Sequence, residues 1–214
     1  MAPRKAQTKN LVAVSESTKD AFLRVAIDSI DASGEASLRL EAILEEVGVS
    51  PSSLYHHYGN LNGLVEAAQV ERFRRANVGN AKELKRRVGE AETVEEFKAV
   101  VDELMDTFLN VKRAVFRMQR ASSLGSAYGR PELLAILGQS QKEALEIGAE
   151  ALDIAKYKGF VRKSLDSMAF VAWFDSQAFG RVLVEITQDK KLSAGWNVLA
   201  RQSVHALLFG TTPT

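Results

Sequence analysis

The chain has 214 residues, 46% of them hydrophobic and 26% charged, with a formal net charge of +1. These values suit a soluble globular chain with one or two domains and a sizeable core. The sequence contains no cysteine, which excludes disulfides, thiolate metal sites and cysteine nucleophiles, and the near-neutral charge means that any affinity for nucleic acid must come from local patches.

In chain order, residues 1–16 carry Arg4, Lys5 and Lys9 among small and polar residues. They read either as a flexible chain end or as a basic arm that orders along DNA. They lack the apolar core of a signal peptide, and no apolar run in the chain is long enough to span a bilayer, so the expected location is the cytoplasm. Ser17 or Thr18 caps a first helix whose apolar face is Phe22, Leu23, Ala26, Ile27 and Ile30, and Gly34 ends it. Ser37 is the expected cap of the next helix, where Leu40, Ile43, Leu44 and Val47 repeat at the spacing of one buried face.

Gly48 follows the last apolar residue of that helix, where a left-handed residue closes a helix. Ser50 and Pro51 then open another helix within three residues. Helix, tight glycine turn, helix is the helix-turn-helix pattern, whose second helix enters a DNA major groove. In that second helix Leu54 and Tyr58 face the core, leaving Ser52, Ser53, Tyr55, His56 and His57 outside as hydrogen-bonding groups for base edges and phosphates. Adjacent His56 and His57 point about 100° apart on a helix and cannot readily share a metal ion. No metal site is expected.

The run GVSPSSLYHHYGNLNGL at 48–64 resembles the DNA-binding motif of the TetR (tetracycline repressor) family of transcriptional regulators. Ile43, Gly48-Val49-Ser50, Leu54-Tyr55, Tyr58 and Leu64 occupy the motif positions, and the likeness covers about residues 17–68. Leu61 stands where the family usually has a phosphate-holding lysine, Leu44 where a small alanine is usual, and Glu45 and Glu46 lie in the first motif helix. The resemblance implies an all-α fold: a helix-turn-helix DNA-binding domain at 17–62, and a ligand-binding and dimerisation bundle at 63–214. It implies a repressor released by a small-molecule inducer that changes the spacing of two recognition helices. The candidate DNA contacts are Arg39, Ser50, Pro51, Ser52, Ser53, Tyr55, His56 and His57. From residue 1 to 62 there are six Lys or Arg against eight Asp or Glu, a net charge of −2. Such a domain must hold phosphates through hydroxyls, backbone amides and helix N-termini rather than bulk charge.

Beyond residue 60 the pattern is helical throughout. A helix from Leu61 runs toward Val78, followed by a polar, basic stretch to Val88; Thr93 caps a helix bearing Phe97, Val100, Val101, Leu104, Met105 and Phe108. Leu124–Arg130 reads as a loop, Pro131 opens a long helix that Gly159 closes, Ser164 starts one to about Gln188, and Ser193 caps the last, through Phe209. Those last two helices carry apolar residues on more than one face. Phe179, Val182 and Ile186 with Val198, Leu199, Ala206 and Leu207 are therefore expected at a four-helix contact between two subunits, as the resemblance also implies. His205 is expected to be packed or at the interface.

Met105, Phe108, Phe116, Met118 and Tyr128, with Phe170, Trp173, Phe174 and Gln177, either pack as ordinary core or line an apolar effector cavity. Arg117, Arg120, Asp175 and Gln177 are its candidate polar anchors, and a hydrophobic or aromatic effector is expected. An enzyme is not expected, since the sequence offers no glycine-rich phosphate loop, no metal-ligand spacing and no nucleophile paired with a histidine. No cofactor is expected. The partners expected are double-stranded DNA, a small effector and a second copy of the chain. The alternative is a helical interaction protein with a degenerate DNA-binding motif.

Overall fold

The computed structural model describes residues 16–210, apart from the side chains of residues 76–80. The proposed basic arm, with Arg4, Lys5 and Lys9, lies outside the described residues. Among the described residues all regular structure is helical. The chain divides into two compact units, with the boundary between Ala68 and Gln69. None of these helices is long and apolar enough to cross a membrane.

The first unit contains α1 (Thr18–Ser33), a 3-10 turn (Glu35–Ser37), α2 (Leu40–Val47), α3 (Pro51–Tyr58) and the start of α4 (Leu61–Glu90). Ser17 caps α1, its Oγ accepting the Asp20 N–H at 3.1 Å. Ser37 does not cap α2. Its hydroxyl turns back to the Gly34 carbonyl at 2.7 Å inside the 3-10 turn, and Arg39 occupies the N-cap position. Phe22, Ala26, Leu54, Leu64 and Ala68 are fully buried, with Ile30 and Ile43 nearly so, and this small core locks four helix segments together. Leu61 also packs against this core, so the position where a phosphate-holding lysine is usual serves packing here.

The second unit holds the rest of α4 with α5 (Val94–Leu109), a 3-10 turn (Val111–Arg113), α6 (Ala114–Ser126), α7 (Pro131–Tyr157), α8 (Ser167–Glu185) and α9 (Lys190–Phe209). Thr93 opens α5 with a full capping box: it accepts the Glu96 N–H at 3.2 Å while Glu96 accepts the Thr93 N–H at the same distance. The supposed loop at Leu124–Arg130 is helical as far as Ser126. The last two helices begin away from Ser164 and Ser193, because neighbouring aspartates cap them: Asp166 accepts from Ala169 N–H at 2.9 Å, and Asp189 from Lys191 and Leu192 at 2.8 and 3.0 Å. α8 packs against α6, α7 and α9. It approaches α7 closely at Gly148, where a Cβ would lie 2.8 Å from Val171 Cγ1. The main core joins Phe97, Val101, Met105, Leu152, Ala155, Val204 and Leu208, and a second cluster joins Phe73, Ala127, Leu133 and Leu137.

Candidate nucleic-acid interface and effector cavity

The turn between α2 and α3 is set by Gly48, whose φ of 76° and ψ of 33° are left-handed. The amides of Gly48 and Val49 both return to the Leu44 carbonyl, at 2.9 and 3.2 Å, sealing the end of α2. Pro51 then starts α3 without sacrificing a donor. Leu54 is the buried anchor of α3, and full burial of a leucine is worth roughly 1.5–3 kcal/mol. Tyr58, one turn later, donates its hydroxyl to the Lys19 carbonyl at 2.7 Å and meets Phe22 edge-on with ring centroids 6.2 Å apart. Burial, and then the nearby Asp20 carboxylate, raise the Tyr58 phenol above its ordinary value.

With that side held, the other face of α3 is polar and open. Pro51, Ser52, Tyr55 and His56 are exposed, and Ser53 and His57 are half-buried. Ser50 is exposed at the N-cap position, where its Oγ exchanges a hydrogen bond with Ser52 Oγ at 2.8 Å. The His56 and His57 rings lie edge to face, 5.0 Å apart, and among the described residues no three His, Cys, Asp or Glu side chains converge as a metal site. Arg39 is exposed, but its guanidinium donates to the carbonyls of Ala36 and Leu38 at 2.9 and 2.8 Å. Arg24 is shared among Glu16, Asp28 and Glu46 at 3.2, 3.7 and 3.9 Å. Asn60 Oδ1 accepts the Gly63 N–H at 2.9 Å and so fixes the start of α4.

The second unit contains a cavity of about 290 Å³ whose apolar lining includes Leu84, Val100, Leu104, Phe108, Phe116, Leu145, Val171 and Phe174. A smaller one of about 80 Å³ is lined by Met105, Trp173, Gln177, Trp196 and Leu199 among others, and it shares Phe108 and Phe174 with the first. Those two rings lie 5.0 Å apart and form a common wall. Of the aromatic and methionine candidates, Phe170 packs against the main core instead, and Met118 and Tyr128 line neither cavity. Tyr128 is 93% exposed, because it sits in the turn after α6 and not on a helix face.

Three candidate anchors, Arg117, Arg120 and Asp175, line the larger cavity, and sequence reading missed four more charged lining residues, Glu83, Arg87, Glu103 and Arg113. Arg120 is buried and forks onto Asp175 at 3.0 and 2.7 Å, with Gln141 bonded to both. Its guanidinium also lies over the Phe73 and Phe179 rings, 5.6 and 5.2 Å from their centroids. Arg117 is buried, pairs with Glu185, and donates to the Phe108 carbonyl at 2.7 Å and the Asn110 carbonyl at 3.3 Å. Arg181 lies 3.4 Å from the same Glu185; its burial, and repulsion by Arg117, lower its pKa against the pull of Glu185.

On α8 and α9, Ile186, Val198, Leu199 and Ala206 are exposed, as is Leu183, while Phe179 and Leu207 are half-buried. Val182 is buried within the second unit. His205 donates its Nε2–H to Asp102 Oδ1 at 2.8 Å, joining α9 to α5.

The family model for bacterial regulatory proteins, tetR family, matches residues 22–68. Among solved structures, Salmonella enterica GusR is 18% identical, with 94% of this chain and 100% of that one covered at a TM-score of 0.66. A TetR transcription regulator from Haloarcula marismortui ATCC 43049 is 15% identical, with 89% and 98% covered at 0.65. The fatty acid degradation regulator FadR from Bacillus halodurans is 20% identical, with 89% and 94% covered at 0.59. At these identities the likenesses show the fold. No curated protein matches the sequence. Helix-turn-helix geometry and the matched motif lead to one conclusion: residues 22–68 are a DNA-binding domain of the tetR family of bacterial regulatory proteins, carried on a chain whose all-helical fold is that of the solved structures it resembles.

Proposed function

We propose that this chain is a dimeric transcriptional repressor that binds a palindromic operator through α3 and is released by a small apolar or aromatic effector held in the second unit. The observation that carries the DNA-reading assignment is the division of α3: Leu54 is fully buried while Ser52, Tyr55 and His56 on the same short helix are open. Such a helix is fixed from behind and presents donors and acceptors that match base edges. Arg39, Ser50, Pro51, Ser53 and His57 complete the proposed contact set. The exposed apolar residues on α8 and α9, led by Leu183 and Leu199 at 67% and 63%, support a twofold contact between copies. The 290 Å³ cavity, close to the lower limit for small-molecule sites, supports a small effector.

Selection of random duplex DNA on the purified chain tests this reading. The expected result is an enriched palindrome whose binding is lost on Tyr55→Ala or His57→Ala. A second reading, a helical interaction protein that has lost DNA binding, is favoured by one observation: Arg24 and Arg39 are both engaged within the chain, next to exposed Glu45 and Glu46. Folded, dimeric protein that enriches no sequence would support it.

A further inference from the structure

The charges around the larger cavity are unevenly matched. Arg113, Arg117 and Arg120 stand at i, i+4 and i+7, which places them along one face leading into α6, and all three line the cavity. Arg120 is balanced by Asp175. Glu185 is shared by Arg117 and Arg181, so that buried trio keeps one positive charge in excess. Arg113 has no carboxylate within ion-pair distance among the described residues; its guanidinium lies 4.7 Å from the centre of the Phe116 ring. Of the lining carboxylates on α4 and α5, Glu103 pairs with Arg87 at 2.5 Å, and Glu83 with Arg86 at 2.6 Å. Those two carboxylates are 61% and 56% exposed, so solvent screens what charge they have left. The sheltered side of the cavity therefore has cations to spare, and an arginine fork bonds best to a carboxylate.

We propose that the cavity takes a small apolar acid, its single carboxylate held by Arg113 with the surplus charge of the Arg117 trio behind it, and its hydrocarbon or aromatic body against Phe108, Phe116 and Phe174. This rests on the ligand-responsive reading above and narrows it to one chemical class. The aromatic wall supplies affinity without direction, and Arg113 supplies the sign of charge that is accepted. Among apolar molecules of similar size, the acid is then selected and the amine repelled.

The test is calorimetric titration of the full chain with 4-phenylbutyrate, 1-naphthoate and octanoate, each against its primary amide, and with octylamine. The acids bind at least about tenfold more tightly than their amides, and octylamine does not bind. Arg113→Gln removes the preference for acids, and Arg113→Lys, which keeps the charge, retains part of it. Equal binding of acids and amides, binding of octylamine, or no binding by any of the three acids overturns the proposal. Operator affinity is read separately in the same samples. An acid that binds through Arg113 and leaves operator affinity unchanged removes the ligand-responsive reading and leaves the acid site standing.

Discussion

Tyr58 donates its hydroxyl to the backbone carbonyl of Lys19 across 2.7 Å, tying the end of the recognition helix to the first turn of α1. The bond links positions 39 apart in sequence and stands beside the Leu54 anchor. Tyr58→Phe keeps the ring and the Phe22 contact but removes the bond, at a cost of about 1 kcal/mol. Hydrogen exchange across α3 should then lose about fivefold of its protection. Unchanged exchange in α3 would show that Leu54 alone holds the helix.

The same phenol gives a pH signature. Burial, followed by Asp20, holds the Tyr58 pKa above its ordinary 10.0. A raised folded value means that the stabilising contribution is complete below pH 10.0 and is lost as pH rises through the folded value. The difference in phenolate absorbance between the wild type and Tyr58→Phe should therefore have its midpoint above pH 10.0. A difference curve centred below that would contradict the buried, hydrogen-bonded phenol.

Two glycines of α4 should respond to alanine with opposite sign. A Cβ on Gly63 would overlap the Tyr58 carbonyl oxygen, whereas one on Gly89 meets nothing within 4 Å. Gly63→Ala forces the α3–α4 junction apart and should destabilise the first unit by about 1–3 kcal/mol. Gly89→Ala should stabilise α4 by about 0.5–1 kcal/mol through reduced backbone entropy. Circular dichroism on urea titration distinguishes the two variants, and equal behaviour would contradict the close approach.

DNA binding should be weakly salt-dependent. Arg24 is engaged with three carboxylates, Arg39 with two carbonyls, and Leu61 is in the core. Few cations are left to displace counterions, so the slope of log affinity against log salt should be shallower than about −5. Glu46→Lys removes a partner of Arg24 and adds a charge; it should steepen the slope by at least about one unit. A steep wild-type slope would instead assign the phosphate contacts to residues before Glu16.

In the second unit, Asp175→Ala strands the buried Arg120 guanidinium. Removing one partner of a buried pair costs about 3–5 kcal/mol, since the remaining charge is left unsolvated. Gln141 offers Arg120 one carbonyl oxygen at 3.3 Å, which places the expected loss near the lower end, at about 3 kcal/mol. A thermal midpoint within about 2 °C of the wild type would show that water reaches Arg120 and solvates it.

The first unit was legible because its signals are local. Gly48 demanded a left-handed turn, Pro51 marked a first helical turn, and Leu54 and Tyr58 shared a face by spacing alone. The α2 cap was not legible: Ser37 has the right chemistry, but its hydroxyl is satisfied by Gly34 in a 3-10 turn that leaves no periodic trace. Arg113 was missed for the same reason, since it too lies in a 3-10 turn. Asp166 and Asp189 outcompeted the nearby serines as caps, a choice that depends on where backbone amides point. The pairing of Arg117 with Glu185 spans 68 positions and that of Arg120 with Asp175 spans 55, so no helical period reveals either. Tyr128 shows the converse error, an aromatic near an apolar stripe that the turn after α6 directs outward.

The smaller cavity has a spectroscopic consequence. The chain has two tryptophans, Trp173 and Trp196, and both line that cavity. Indole emission therefore reports on the second unit alone, while the unit that carries the helix-turn-helix is silent at that wavelength. One sample heated once gives two melting curves: emission follows the cavity, and ellipticity follows every helix. Where they part, the two units unfold independently; where a ligand moves only the emission curve, it has bound without touching the stability of the DNA-reading unit.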